Sequence, residues 1–178
     1  MGPSARVGTV ELRIFSYKQG VLSNFGHDLT FALSGVLQLS EPRIEFEFLL
    51  GQLKLLGARP APGPVDVFQS DRVLASVDSR STEQIYRALH HEILASARFP
   101  GGRFEGEWHA GRATGTLELL GQRRPLVIDY HFADSRYQGS VELVPSQWGI
   151  RPYRAMLGAL KLQDRVTVHF QVQAQLGA

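Results

Sequence analysis

Residues 29–48 read LTFALSGVLQLSEPRIEFEF, and this stretch decides the fold. Leu29, Phe31, Leu33, Leu37 and Leu39 fall on one side of an extended chain, with Gly35 among them, while Thr30, Ser34 and Gln38 fall on the other. Side chains of a strand alternate between two faces, so this period of two predicts a strand with one buried face. Glu41-Pro42 then predicts a tight turn, because proline fixes φ and has no N–H to give to a ladder. Ile44, Phe46 and Phe48 alternate with Arg43, Glu45 and Glu47 on the way back, which completes a hairpin.

The same pattern extends in both directions. Val10, Leu12 and Ile14 alternate with Glu11, Arg13 and Phe15 in a strand near Val7–Ser16. Downstream, strands are predicted near Arg103–His109 with Phe104 and Trp108 on one face, at Thr114–Leu120 with Leu117 and Leu119, and at Tyr137–Val144 with Val141 and Leu143. Between the last two, Leu126, Ile128, Tyr130 and Phe132 face one way and Val127, Asp129 and His131 the other. Val166, Val168, Phe170, Val172 and Ala174 make the closing strand. Arg72–Val77 is a candidate short strand, Gly57–Pro64 a loop, and Pro145–Leu162, which has no clear period, a long connection. One segment changes period: Ile85, Leu89 and Ile93 predict a helix over Thr82–Ser96. Ser81-Thr82-Glu83-Gln84 offers its cap and Pro100-Gly101-Gly102 its end.

About eight antiparallel strands and one helix make an all-β chain of one domain, residues 1–178. Its apolar face must be covered by a second sheet or by closure into a barrel, and closure also removes exposed edges. The helix would then plug or flank one mouth. With 19 basic and 17 acidic residues and no basic stripe, the composition gives no argument for nucleic acid. There is no cysteine, which excludes disulfides and thiolate chemistry. No run is long and apolar enough for a membrane helix, so a soluble protein is expected. Met1–Arg6 lacks the apolar centre of a secretory leader, which predicts a cytoplasmic location, or a periplasmic one if a leader was removed.

Few polar groups are arranged for chemistry. His27 and Asp28 are adjacent, so on a strand they point to opposite faces, and Asp28 is expected to hold backbone N–H groups at a turn. An enzyme built on that corner is the weakest of the readings. His90-His91-Glu92 lacks the i, i+4 spacing that two imidazoles need to share a metal on a helix, so no metal site is expected. Asp129 and His131, and likewise His169, are expected to face outward. There is no Gly-x-Ser-x-Gly elbow, and no catalytic residue is assigned. The strongest signal is the inward set Phe31, Phe46, Phe48, Phe104, Trp108, Ile128, Tyr130, Phe132 and Phe170. An apolar lining of this kind does not by itself separate a filled core from a ligand cavity, and on the residues alone a filled core is the expectation. Arg59, Arg72, Arg151 and Arg154, on the connections, are the cations that could meet an anionic group at a mouth.

Four segments carry a family resemblance. Gly115–Leu126 (GTLELLGQRRPL) resembles the strand–turn–strand motif of YceI-like proteins. Trp148-Gly149-Ile150-Arg151-Pro152, with Gly158–Leu162 and Asp164-Arg165-Val166, is similar to that family's approach to its last strand. Arg98-Phe99-Pro100 with Phe104, and Gly26-His27-Asp28-Leu29, resemble two further family segments. The resemblance implies an extended, lipocalin-like antiparallel barrel from bacteria, many members being periplasmic, whose interior in some members holds a polyprenyl phosphate or a quinone tail. It makes the expected function that of a non-catalytic carrier of a long-chain isoprenoid or related lipid. The nine inward residues would bind the chain, and His27, Arg151 and Arg154 would meet a head group. No cofactor is expected beyond such a lipid. The alternative is a ligand-free interaction module with a filled core that pairs as a homodimer.

Overall fold

The computed structural model describes residues 6–19, 28–59, 67–68, 74–155 and 160–173. Its frame is β1 (Arg6–Gln19), β2 (Leu29–Ser40), β3 (Arg43–Leu49), β4 (Lys54–Ala58), β5 (Gly101–His109), β6 (Arg112–Leu119), β7 (Gln122–Ala133), β8 (Arg136–Leu143), β9 (Arg154–Ala155) and β10 (Leu160–Gln173). Every pairing is antiparallel. β1 pairs with β2 on one side and β10 on the other, so eight long strands close in the order β1, β2, β3, β5, β6, β7, β8, β10. β4 extends the wall beside the first residues of β2, where β3 has ended, and β9 adds a two-residue pairing to β10.

The alternation read from the sequence is the alternation between lumen and outside. Val10 and Leu12 are buried while Glu11 is exposed, and Leu33 and Leu37 are buried while Ser34, Val36 and Gln38 are exposed. Outside, the wall is laced with surface charge: Arg103 lies 3.0 Å from Glu45 and 2.7 Å from Glu105 across β3 and β5. Exposed pairs of this kind add little stability, and the register rests on burying the inner face.

The barrel has two distinct ends. The hairpin turns after β2, β5 and β7 gather at one, the hairpin end. At the other, the helix end, sits the connection between β4 and β5. It contains α1 (Ser79–Arg87), which continues as a wider π turn over Ala88–Ile93. The helix thus starts earlier than predicted, because Asp78 caps it rather than Ser81: the Asp78 carboxylate accepts the Ser81 N–H at 2.9 Å. Hydrogen bonds from Ser81 hold that carboxyl below its ordinary pKa. Of the predicted strand Arg72–Val77, Arg72 and Val73 lie outside the described residues, and Leu74–Val77 makes a single antiparallel bridge, Ala75 to Ala58.

The long connection expected over Pro145–Leu162 carries more structure than its sequence suggested. A 3-10 turn (Pro145–Trp148) drives Trp148 into the core, where it is 2% exposed and its Nε1 donates to the Leu117 carbonyl at 3.1 Å. Gly149 reverses the chain at φ 77°, a left-handed value that favours glycine, and Ile150 is buried just beyond it. β10 then begins at Leu160, six residues before Val166, the first residue named for the closing strand.

Candidate functional site

The lumen is not filled. A cavity of about 1360 Å³ runs through the barrel, above the roughly 300–1,000 Å³ typical of small-molecule pockets. Its wall takes Phe31 from β2, Phe46 and Phe48 from β3, Phe104 and Trp108 from β5, Ile128 and Tyr130 from β7 and Phe170 from β10. Leu50 and Leu53 join them near the helix end, where Ile85, Leu89 and Ile93 of the helix close over the lumen. The filled core that the alternative reading expected is therefore corrected to a hollow one.

How eight aromatic-rich positions leave such a space is a matter of glycines. Gly35, Gly102 and Gly139 are inner-face positions on β2, β5 and β8, cross-strand from Phe48, Phe48 and Phe170 respectively. A β-carbon built on Gly35 would lie 2.7 Å from Phe46 Cζ, one on Gly102 2.8 Å from Phe48 Cε2, and one on Gly139 2.8 Å from Phe170 Cζ. The rings rest against the wall, over backbone that has no side chain, and do not project across the lumen.

Phe132 departs from the predicted set. It shares the face of Ile128 and Tyr130 but is 56% exposed and does not line the cavity. β7 overshoots the hairpin end, and Phe132 pairs with Tyr137 one step from the turn at Asp134-Ser135, where there is no opposite wall to cover it. Its ring packs 5.0 Å from that of Tyr137. Tyr130, one step further in, has its phenol pushed upward in pKa by burial.

Of the predicted head-group residues, Arg151 borders the main cavity at the helix end. Arg154 lines a smaller adjoining cavity of about 540 Å³, which shares Arg151, Pro152 and Tyr153 with the large one. His27 lies outside the described residues, as does Arg72. Arg59 is on the outer surface, 4.2 Å over the ring of Phe15, and donates to the Ser16 carbonyl at 3.1 Å, so it is not a mouth residue. Parity along β1 could have revealed two residues that the sequence reading missed. Val10, Leu12 and Ile14 are followed on the same face by Ser16 and Lys18, and both border the cavity.

Other polar candidates serve the frame. Asp28 accepts the Lys18 N–H at 2.8 Å and faces Arg59 at 4.0 Å, which is the backbone-holding role expected of it. The His90 ring stacks on Tyr86, and its Nδ1 lies 3.0 Å from Ser96 Oγ, which ties down the end of the helix. Asp129 and His131 are exposed, and His169 lies on the outer wall against Phe15.

Comparison with known proteins agrees with this architecture. The sequence model of the YceI-like domain matches residues 24–174. The chain belongs to the YceI-like family. Among solved structures, this YceI-like barrel is similar to BcnA of Burkholderia cenocepacia, with a TM-score of 0.54 at 9% identity over 92% of this chain and 94% of that one. At that identity the likeness shows a shared fold. No curated protein sequence matches the chain significantly. Among the described residues, no helix of this YceI-like protein is long and apolar enough to cross a membrane.

Proposed function

We propose that this YceI-like protein is a non-catalytic binder and carrier of a long-chain lipid, an isoprenoid or a chain of similar bulk, held inside the barrel. The supporting observation is the continuous, apolar-walled cavity of about 1360 Å³. Each buried CH₂ contributes about 0.8 kcal/mol, so ten chain carbons supply roughly 8 kcal/mol, the scale of a micromolar Kd before ordering costs. Such affinity needs no polar anchor, and a flexible tail can follow a lumen whose aromatic rings lie along its walls. Two lining atoms, Trp108 Nε1 and Ser16 Oγ, are buried without a hydrogen-bond partner among the described residues. Buried polar atoms are normally satisfied, so water or an occupant's polar groups would sit there.

The test is mass spectrometry of the natively purified chain, followed by titration of the lipid-stripped protein with a polyprenyl alcohol while Trp108 fluorescence is followed. A co-purifying long-chain lipid and a saturable fluorescence change are expected. A protein that carries no lipid and binds none would overturn the reading.

A further inference from the structure

We propose that the hairpin end of the barrel docks on a lipid surface through Phe132 and is the mouth by which the chain enters and leaves; this rests on the lipid-binding reading above. Among the described residues the exposed large hydrophobics are Val36, Leu49, Val127 and Phe132. Strand parity puts the first three on the outer faces of β2, β3 and β7, one to a strand, where single apolar residues are ordinary on a protein surface. Phe132 is different. It is the most exposed of them, at 56%, and it stands on the lumen face. Cross-strand pairing leads from it into the cavity: Phe132 pairs with Tyr137, Tyr137 with Val172, and Val172 with Val10. Tyr137, Val172 and Val10 all border the cavity. An apolar row thus runs unbroken from the water outside the rim to the lumen.

The two ends are not equivalent as doors. At the helix end, Ile85, Leu89 and Ile93 lie over the lumen. At the hairpin end no helix does so among the described residues, and the exposed residues Thr9, Glu41 and Gln173 border the cavity. A long alkyl chain that crosses water exposes every CH₂ on the way, so exchange is fast only where the mouth touches the lipid it draws from. Phe132 and Tyr137, their rings 5.0 Å apart beside a turn that overshoots the wall, supply that contact. Aromatic rings next to polar turn residues suit the boundary between lipid head groups and acyl chains. The charges of the turns are of both signs: Glu41 and Arg43 after β2, Asp134 and Arg136 after β7, with Arg112 paired to Asp129 at 2.6 Å. That balance fits a zwitterionic lipid surface gripped by the ring, and not a strongly charged partner.

The chain has no cysteine, so Phe132→Cys and, on the helix at the opposite end, Arg87→Cys each take a single environment-sensitive fluorophore. On adding phosphatidylcholine vesicles, the label in place of Phe132 is expected to shift to the blue and the one in place of Arg87 to stay, at low and high salt alike. In unlabelled protein, transfer of a polyprenyl alcohol between such vesicles is expected to slow at least about fivefold in Phe132→Asp. The Kd of that variant for the alcohol presented in detergent, read from Trp108 fluorescence, should hold within about twofold. Val127→Asp, on the outer face of the same strand, should transfer at the parent's rate. The docking is overturned, and the lipid-binding reading stands, if the label in place of Phe132 ignores vesicles or shifts with protein concentration alone, as when a second copy covers it. A Phe132→Asp protein that transfers as fast as the parent overturns it equally. If the parent binds no alcohol in detergent, the lipid-binding reading falls and the portal with it.

Discussion

The ring of Phe48 lies across Gly102 of the neighbouring strand, so close that a methyl group there would meet Phe48 Cε2 at 2.8 Å and the Glu118 carbonyl oxygen at 2.9 Å. Gly102→Ala must move the ring into the lumen or shift the strand. It is expected to destabilise the protein by about 1–3 kcal/mol, the usual cost of overpacking. Adding Phe48→Leu should recover part of the loss and leave the share due to the carbonyl. Urea unfolding of the two single variants and the double variant measures this. Strictly additive effects would show that ring and glycine are not coupled.

Trp148 closes the wall beneath the cavity, and its indole N–H is donated to the Leu117 carbonyl in a buried site. Trp148→Phe should cost about 1 kcal/mol or somewhat more through the lost hydrogen bond. Trp148→Ala should cost about 3–5 kcal/mol through the void. Chemical denaturation followed by circular dichroism distinguishes the two; a Trp148→Ala protein as stable as the parent would contradict the packing described.

Ala95 follows the helix with φ 44°, a left-handed conformation in which a β-carbon is strained, and the Ser96 N–H returns to the His90 carbonyl at 3.0 Å. Glycine removes the strain and fits the position. Ala95→Gly should therefore stabilise the fold by about 0.5–1 kcal/mol, against the usual penalty for adding glycine. A thermal melt in which Tm drops on this substitution would count against the cap geometry.

His169 lies on the outer wall, its ring 4.9 Å from that of Phe15, with Arg13 directly cross-strand. Burial, and then the charge of Arg59, lower its pKa below the usual 6.5. The unfolded chain therefore takes up this proton before the folded chain does. The contribution of His169 to stability is intact above about pH 6.5 and is lost as pH falls through the folded-state pKa. Stability measured at pH 7.5 and at pH 5 should show a drop in the parent that is smaller in His169→Gln. Equal drops would exclude His169 as a source.

Much of this was legible in residues 29–48 and their echoes along the chain. A period of two survives any tertiary arrangement, because the pleat itself fixes which side chains share a face. Eight of the nine inward residues were read correctly from it. Phe132 was not, because parity gives the face of a strand and not where the opposite wall stops. Trp148 and the cap at Asp78 escaped because single residues at irregular turns carry no period.

By itself, then, the sequence determined the long strands, their buried face and the single helix, which follow from local alternation, while closure into a barrel rather than stacking of two sheets is decided by β1 pairing with both β2 and β10. Only the tertiary structure decided that the barrel is hollow. Whether a phenylalanine fills a lumen or lies along its wall depends on what stands across the ladder from it. Here Gly35, Gly102 and Gly139 stand beside Phe46, Phe48 and Phe170, and their missing side chains give the rings somewhere to lie. The meeting of Lys18 with Arg151 and Lys161 at one mouth was likewise decided by strand register, since Lys18 lies more than a hundred positions from the other two in the chain and meets them only when β1 pairs with β10.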